Sequence, residues 1–398
     1  MHSAATNPLD LLFEEAELHN APAFVRAFEH TPGTKIEFGC GSIGSLPRFV
    51  RELSASRALI VTDAGIAGAG HLQKAIDLLE EDGLQAAVFD RVIENPTSDC
   101  VRACVAVAQE SHADVLIGLG GGSSMDTAKG CNFIHTNGGR MRDYWGHDKA
   151  TKPMLPMIAI PTTAGTGSEC QSFALISDPE THAKMACGDH KAAARIAILD
   201  PELTVTQPQL VTAHTGIDAL THAIESGVCN KRSEISIAYA KAAYQLLITA
   251  FPAVIDDRGD IIARSQMLVG AALAGTAIEN SMLGAAHSAA NPLTAQFDVV
   301  HGEAVGIMLP HVMRFNATDE TTAIAYRELC GESDIEDLCK NFTALLEKGH
   351  MPTSLSSYGI KDSDIAKLAD QAATQMTAQF NPIPVDPDAF ARLYGVAL

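Results

Sequence analysis

The sequence predicts an α/β first half built on a parallel sheet, followed by an all-helical second half. Three observations carry this. Short apolar runs alternate with amphipathic segments as far as Leu199. A glycine triplet, Gly120-Gly121-Gly122, follows one of those runs and opens a helix. From Gln209 onward the pattern is long, Ala-rich and helical, with few β-branched runs. Strands alternating with helices imply a parallel sheet covered on both faces. The length of 398 residues suits two domains, and the change of pattern places the boundary near residue 205, giving 1–205 and 206–398.

The elements follow in order. Leu9 to His19 is an apolar-acidic leading helix. Arg57 to Thr62 is a strand, His71 to Asp82 an amphipathic helix, and Gln85 to Asp90 a second strand. Ser98 to Ser111 is a helix and Asp114 to Leu119 a third strand. The glycines then lead into a helix over Met125 to His135. Met157 to Ile160 and Ala194 to Leu199 complete the strands. No repeat or low-complexity segment interrupts them.

Composition narrows the function classes. A net charge of −20 repels nucleic acid and anionic membrane, which argues against both as partners. The nine cysteines include no CxxC pair and read as reduced packing residues of a cytoplasmic protein. The acidic N-terminus does not resemble a signal peptide, and no run of about 18 uninterrupted apolar residues marks a membrane span.

The stretch from Gly120 to Lys129 has the composition of a phosphate cradle. Glycines let the backbone approach a pyrophosphate, and a helix start offers unpaired N–H groups. The spacing is neither GxGxxG nor a Walker A loop, so tight packing explains the glycines equally well. Asp63 ends the first clear strand. Its carboxylate suits a ribose diol and repels a 2′-phosphate, favouring NAD over NADP; a helix N-cap is the simpler role. Pro161 to Glu169 follows another strand with small hydroxyl residues able to wrap a ligand.

Four side chains suggest a metal. Asp218 and His222 are spaced i,i+4, on one face of a helix. His287 and His301 follow with Pro292 between them, so His287 is expected to end one helix and His301 to begin another. One oxygen and three nitrogens suit Fe(II) or Zn(II) better than calcium or magnesium. Any one of these histidines alone reads more simply as a packed core residue. His214 reads as helix-terminal and His311 as a packed or surface imidazole, and His112, His135 and His147 are read as equally structural.

Together these segments resemble the iron-containing (group III) alcohol dehydrogenase family. The matching stretches are Phe38-Gly39-Cys40-Gly41-Ser42, Val61-Thr62-Asp63, Glu94-Asn95-Pro96-Thr97 and Gly120 to Lys129. Pro161 to Glu169, Leu199-Asp200-Pro201, Gly216 to Glu225 and His301 to Pro310 match as well, so the resemblance runs from about residue 35 to 320.

The resemblance implies a dehydroquinate synthase-like architecture, with an N-terminal dinucleotide-binding domain and an all-α metal-binding domain. It implies NAD(P)-linked interconversion of small alcohols with aldehydes or ketones, and a homodimer or larger homo-oligomer. The family's ligand positions fall on Asp218, His222, His287 and His301. Its pyrophosphate loop falls on Gly121, Gly122, Ser123 and Ser124, and its nicotinamide-side segment on Thr162, Thr163 and Thr166. Asn95 and Lys184 occupy cofactor-proximal positions.

Two positions depart from the family pattern. Asn291 stands where many members carry a histidine near the nicotinamide, and Asn does not exchange a proton near neutral pH. Ile278 stands where an aromatic often lines the pocket. Three other readings remain open from sequence: a dehydroquinate synthase-like enzyme, a maleylacetate reductase-like enzyme, and a metal-structured regulatory protein without catalysis. The first two call for a more basic substrate pocket, and no basic cluster stands out in the sequence.

Overall fold

The computed structural model describes residues 32–180 and 183–398. The expected leading helix, Leu9 to His19, lies outside them. The strands are β1 (Lys35–Phe38), β2 (Arg57–Val61), β3 (Gln85–Phe89), β4 (Val115–Gly120), β5 (Gly146–His147), β6 (Met157–Pro161), β7 (Phe173–Ser177), β8 (Lys184–Gly188) and β9 (Ile196–Leu199). Six of them form one parallel sheet in the order β1-β9-β6-β4-β2-β3.

The central strands are continuous apolar runs because helices cover both faces of the sheet. Ile60, Ile117, Ile158 and Ile198 point to a layer containing α1 (Leu46–Glu52), the short α2 (Ala64–Gly68) and α3 (His71–Glu81). Leu59, Val61, Leu116 and Ala159 point to the opposite layer, containing α4 (Ser98–Glu110) and α5 (Gly122–Asn137). β3 lies on one side of β2 and β4 on the other. The winding order therefore reverses between the parallel strands β2 and β4, and the crevice outside their carboxyl ends is where open α/β sheets bind ligands. Asp63 and Gly121 sit at that reversal.

Three features of this half were not expected. β1 is a short edge strand whose polar alternation, Lys-Ile-Glu-Phe, hides it. β7 and β8 pair antiparallel, and β5 joins β8 to make a small second sheet. α5 begins at Gly122 rather than Met125, because the polar Ser123 and Ser124 already belong to its first turn.

After Leu199 the described chain is helical. It runs through α6 (Gln209–Val228), α7 (Glu234–Asp256), α8 (Ile261–Glu279), α9 (Ala285–Phe297) and α10 (His301–Asn316). α11 (Glu320–Cys330), α12 (Ile335–Lys348), α13 (Asp362–Ala373) and α14 (Pro387–Ala397) follow. One apolar core built on α6 joins them. α7 and α8 are long and apolar enough to cross a membrane by length and composition. Here that character serves the core: Ala243, Leu247, Phe251, Met267, Ala271 and Ala274 are buried within it.

One expectation about this half is corrected. His287 does not end a helix; it lies in the first turn of α9, and Pro292 sits inside that helix. An interior proline costs about 3 kcal/mol, but Ala285 to Ala290 and Leu293 are buried around it, and that packing holds the helix together. The break falls instead at Asp298, which adopts the left-handed conformation with φ 54°. α10 then starts at His301, as the spacing predicted.

Candidate active site between the sheet and the helices

Helical spacing brings Asp218 and His222 to one face of α6, and the first residues of α9 and α10 supply His287 and His301. Around Asp218 Oδ1 the Nε2 atoms of His222, His287 and His301 lie at 3.4, 3.4 and 3.7 Å. The His222 and His287 rings stack, with centroids 4.8 Å apart. Two donors each about 2.1 Å from a tetrahedral ion stand about 3.4 Å apart, and the ligand atoms of Asp218, His222 and His287 all lie within 4.8 Å of one another, so these three fit a single Fe(II) or Zn(II) ion, with His301 beside Asp218 as the fourth candidate donor. Asp218 Oδ1 and His287 Nε2 are moreover buried with no hydrogen-bond partner.

The surroundings orient the ligands. His287 Nδ1 donates to Glu225 Oε2 at 2.6 Å, and Glu225 Oε1 accepts from the Ala286 N–H at 2.7 Å. His222 Nδ1 lies 3.3 Å from the Gly165 carbonyl oxygen. Each contact leaves the opposite ring nitrogen for the ion. Burial alone would raise the Asp218 carboxyl, but the neighbouring His222, His287 and His301 imidazoles outweigh it and hold the group below the usual carboxylate range. Burial pushes His301 down to about 3, against the pull of Asp218. His287 is penalised by burial too, yet the nearby Asp218 carboxylate and the hydrogen bond to Glu225 lift it to about 9.

Residues expected on the cofactor side converge at the switch point. Asp63 caps α2, with Oδ1 accepting from Gly65 and Ile66 at 2.8 and 3.1 Å. Its other oxygen faces Gly120: a Cβ there would lie 3.5 Å from Asp63 Oδ2. The simpler role foreseen for Asp63 is therefore present, and one oxygen remains for a ligand. A Cβ on Gly122 would meet Thr166 Cγ2 at 2.7 Å, and one on Gly121 would meet Thr163 Oγ1 at 3.4 Å. The loops after β4 and β6 thus touch. The hydroxyls of Thr62, Ser124 and Thr162, near the ends of three adjacent strands, are buried without partners. Unpartnered buried hydroxyls beside an uncapped helix start fit a pyrophosphate.

Lys184 Nζ donates to Asn95 Oδ1 at 3.3 Å, which pairs the two cofactor-proximal positions. Burial lowers the Lys184 amine, while Asp126 and Asp218 pull it back up. The loop after β6 also abuts α6, since a Cβ on Gly165 would lie 2.5 Å from Thr215 Cβ. The loops after β4 and β6 and the helix α6 are thereby brought together through Gly121, Gly122, Thr163, Thr166 and Gly165. Ile278 is buried in α8. Asn291 stands one turn beyond His287 and donates to Gln375 Oε1 at 3.0 Å. Sequence reasoning missed Glu225, although its i+3 spacing from His222 places it on the ligand face. It also missed Gln375, which no local spacing reveals.

Residues 33–201 match the family described as iron-containing alcohol dehydrogenase, and residues 212–398 match that family's C-terminal domain. The chain belongs to the iron-containing alcohol dehydrogenase family. It is 35% identical to the NAD-dependent methanol dehydrogenase of Bacillus methanolicus, over 86% of this chain and 93% of that protein. It is 33% identical to the lactaldehyde reductase of Escherichia coli K12, over 90% of this chain and 97% of that one. A crystal structure of 1,3-propanediol oxidoreductase superposes with a TM-score of 0.89 at 30% identity, covering 94% of this chain and all of the other. The family's two-part architecture is the one described above, a parallel sheet followed by helices.

Proposed function

We propose that this chain is a metal-dependent, NAD-linked alcohol dehydrogenase and aldehyde reductase acting on small alcohols. The observation that carries the reading is the convergence of Asp218 Oδ1 with three imidazole nitrogens, tied to the cofactor-side loop through His222 and Gly165. Asp218, His222, His287 and His301 would hold Fe(II) or Zn(II). When bound, the ion polarises the substrate oxygen as a Lewis acid, and NAD exchanges hydride with the substrate carbon.

The protein's own residues bind and orient. Gly121, Gly122, Ser123 and Ser124 hold the pyrophosphate, Asp63 the ribose diol, and Thr162, Thr163 and Thr166 the nicotinamide side. Asn95 and Lys184 close the cofactor groove, with NADP as a possible weaker cosubstrate. Asn291 relays no proton, so the proton leaves through water or cofactor hydroxyls. We place the domain boundary near residue 205, the protein in the cytoplasm, and its assembly as a homodimer or larger. Similarity to the methanol dehydrogenase and the lactaldehyde reductase supports NAD and a small alcohol or aldehyde.

The test is NADH formation by chelated protein reloaded anaerobically with Fe(II) or Zn(II), across short alcohols and diols. Turnover only with metal is expected. Equal turnover in chelated protein would overturn the metal's role, and NAD binding without oxidation of any alcohol would overturn the dehydrogenase reading.

A further inference from the structure

α9 carries His287 of the candidate ligand cluster and, four residues on and on the same face, Asn291. Asn291 is half-buried, and its amide nitrogen donates to Gln375 Oε1 at 3.0 Å. The orientation of that bond is determined. Gln375 Nε2 donates to the Gln371 carbonyl at 3.3 Å, so its Oε1 side faces Asn291 and can only accept. The segment is fixed to α9 at two further points. Ser288 and Thr377 hydroxyls lie 2.6 Å apart, and the Gln296 amide donates to Gln371. Asn291 must therefore spend its NH2 group on Gln375. Its Oδ1 accepts no hydrogen bond from the described residues and is not sealed from solvent.

A fixed, open carbonyl oxygen one turn from His287 is an acceptor for a hydroxyl. A simple alcohol commits its single oxygen to the ion and has nothing to offer it. A diol, or the corresponding hydroxyaldehyde, has a second O–H one or two carbons along the chain. We propose that the Asn291–Gln375 amide pair reads this second hydroxyl, making Gln375 a specificity-determining residue for diol substrates. Asn291 contacts the substrate; Gln375 acts through Asn291 by holding its amide in the accepting orientation. This rests on the dehydrogenase reading above.

The experiment compares kcat/KM for 1,2-propanediol and 1,3-propanediol with that for 1-propanol, in metal-loaded wild type, Gln375→Met and Asn291→Leu, with metal content measured for each. Wild type is expected to favour at least one diol. Both variants are expected to lose about fivefold of that preference, the scale of one neutral hydrogen bond, mainly through KM for the diol. A merely structural clamp would change both substrate classes alike and leave the ratio unmoved. An unchanged ratio in Gln375→Met, or no diol preference in wild type, overturns the proposal. If Asn291→Leu loses its metal, Gln375→Met alone decides. Wild type that oxidises 1-propanol without diol preference defeats only this inference; wild type that oxidises no alcohol defeats the dehydrogenase reading and this with it.

Discussion

Glu225 Oε2 accepts a hydrogen bond from His287 Nδ1 at 2.6 Å, while the opposite nitrogen of the same ring lies 3.4 Å from Asp218 Oδ1. The carboxylate thereby fixes both the ring plane and the nitrogen that faces the ion. Glu225→Gln keeps the volume but removes the charge and frees the amide to turn its donor toward the ring. Such outer partners typically contribute about 10–100-fold in metal affinity. A loss in that range is expected in chelator competition with Zn(II), and unchanged affinity would remove Glu225 from the orienting role.

His287 tests the metal and cofactor functions separately. It belongs to α9, whereas the glycine turn and Asp63 belong to the sheet half. His287→Ala is expected to lose the ion and turnover while still binding NAD, measured by calorimetry. Full turnover in a variant shown to be metal-free would contradict the Lewis-acid role.

Asp63 performs two tasks, and they can be separated. Its Oδ1 caps α2, and its Oδ2 faces the glycine turn. Glycine at an N-cap costs only a few tenths of a kcal/mol, so Asp63→Gly removes the carboxylate with little loss of stability. Without that charge, repulsion of a 2′-phosphate disappears, and the ratio of NADP to NAD use should rise by about tenfold or more. Unchanged cofactor preference would leave Asp63 as a helix cap alone.

How much of this was legible in sequence depends on the range of the interaction. The i,i+4 ligands of α6 and the strand–glycine–helix turn are local patterns, and the structure builds both where the spacing put them. The β7–β8 hairpin was missed although β7, Phe-Ala-Leu-Ile-Ser, is itself an apolar run; β8, Lys-Met-Ala-Cys-Gly, is the one without a strand-like pattern. Pro292 misled because an interior proline is judged by backbone chemistry, while burial of the residues around it decided the outcome. The Asn291–Gln375 bond joins positions 84 residues apart and has no local signature. Glu225 was within reach, being on the ligand face of α6 and only three residues past His222.

Glu169 ends the cofactor-side loop, only 1% exposed, with Oε1 unpartnered. Burial raises its carboxyl from 4.5 to about 7, against smaller opposing effects of a backbone hydrogen bond and Lys129. Below the unfolded value the group is protonated in both states and has no effect on stability. As pH rises toward 7 the unfolded chain releases its proton first, so folding becomes progressively less favourable. Above 7 the full penalty remains, on the order of 3 kcal/mol at most. Glu169→Gln removes this titration. Its stability relative to wild type should therefore increase between pH about 5.5 and about 8, measured by urea unfolding of metal-loaded protein without NAD. A difference that stays flat across that window would mean that Glu169 is already ionised in the native protein, stabilised by Lys129 more strongly than burial opposes it.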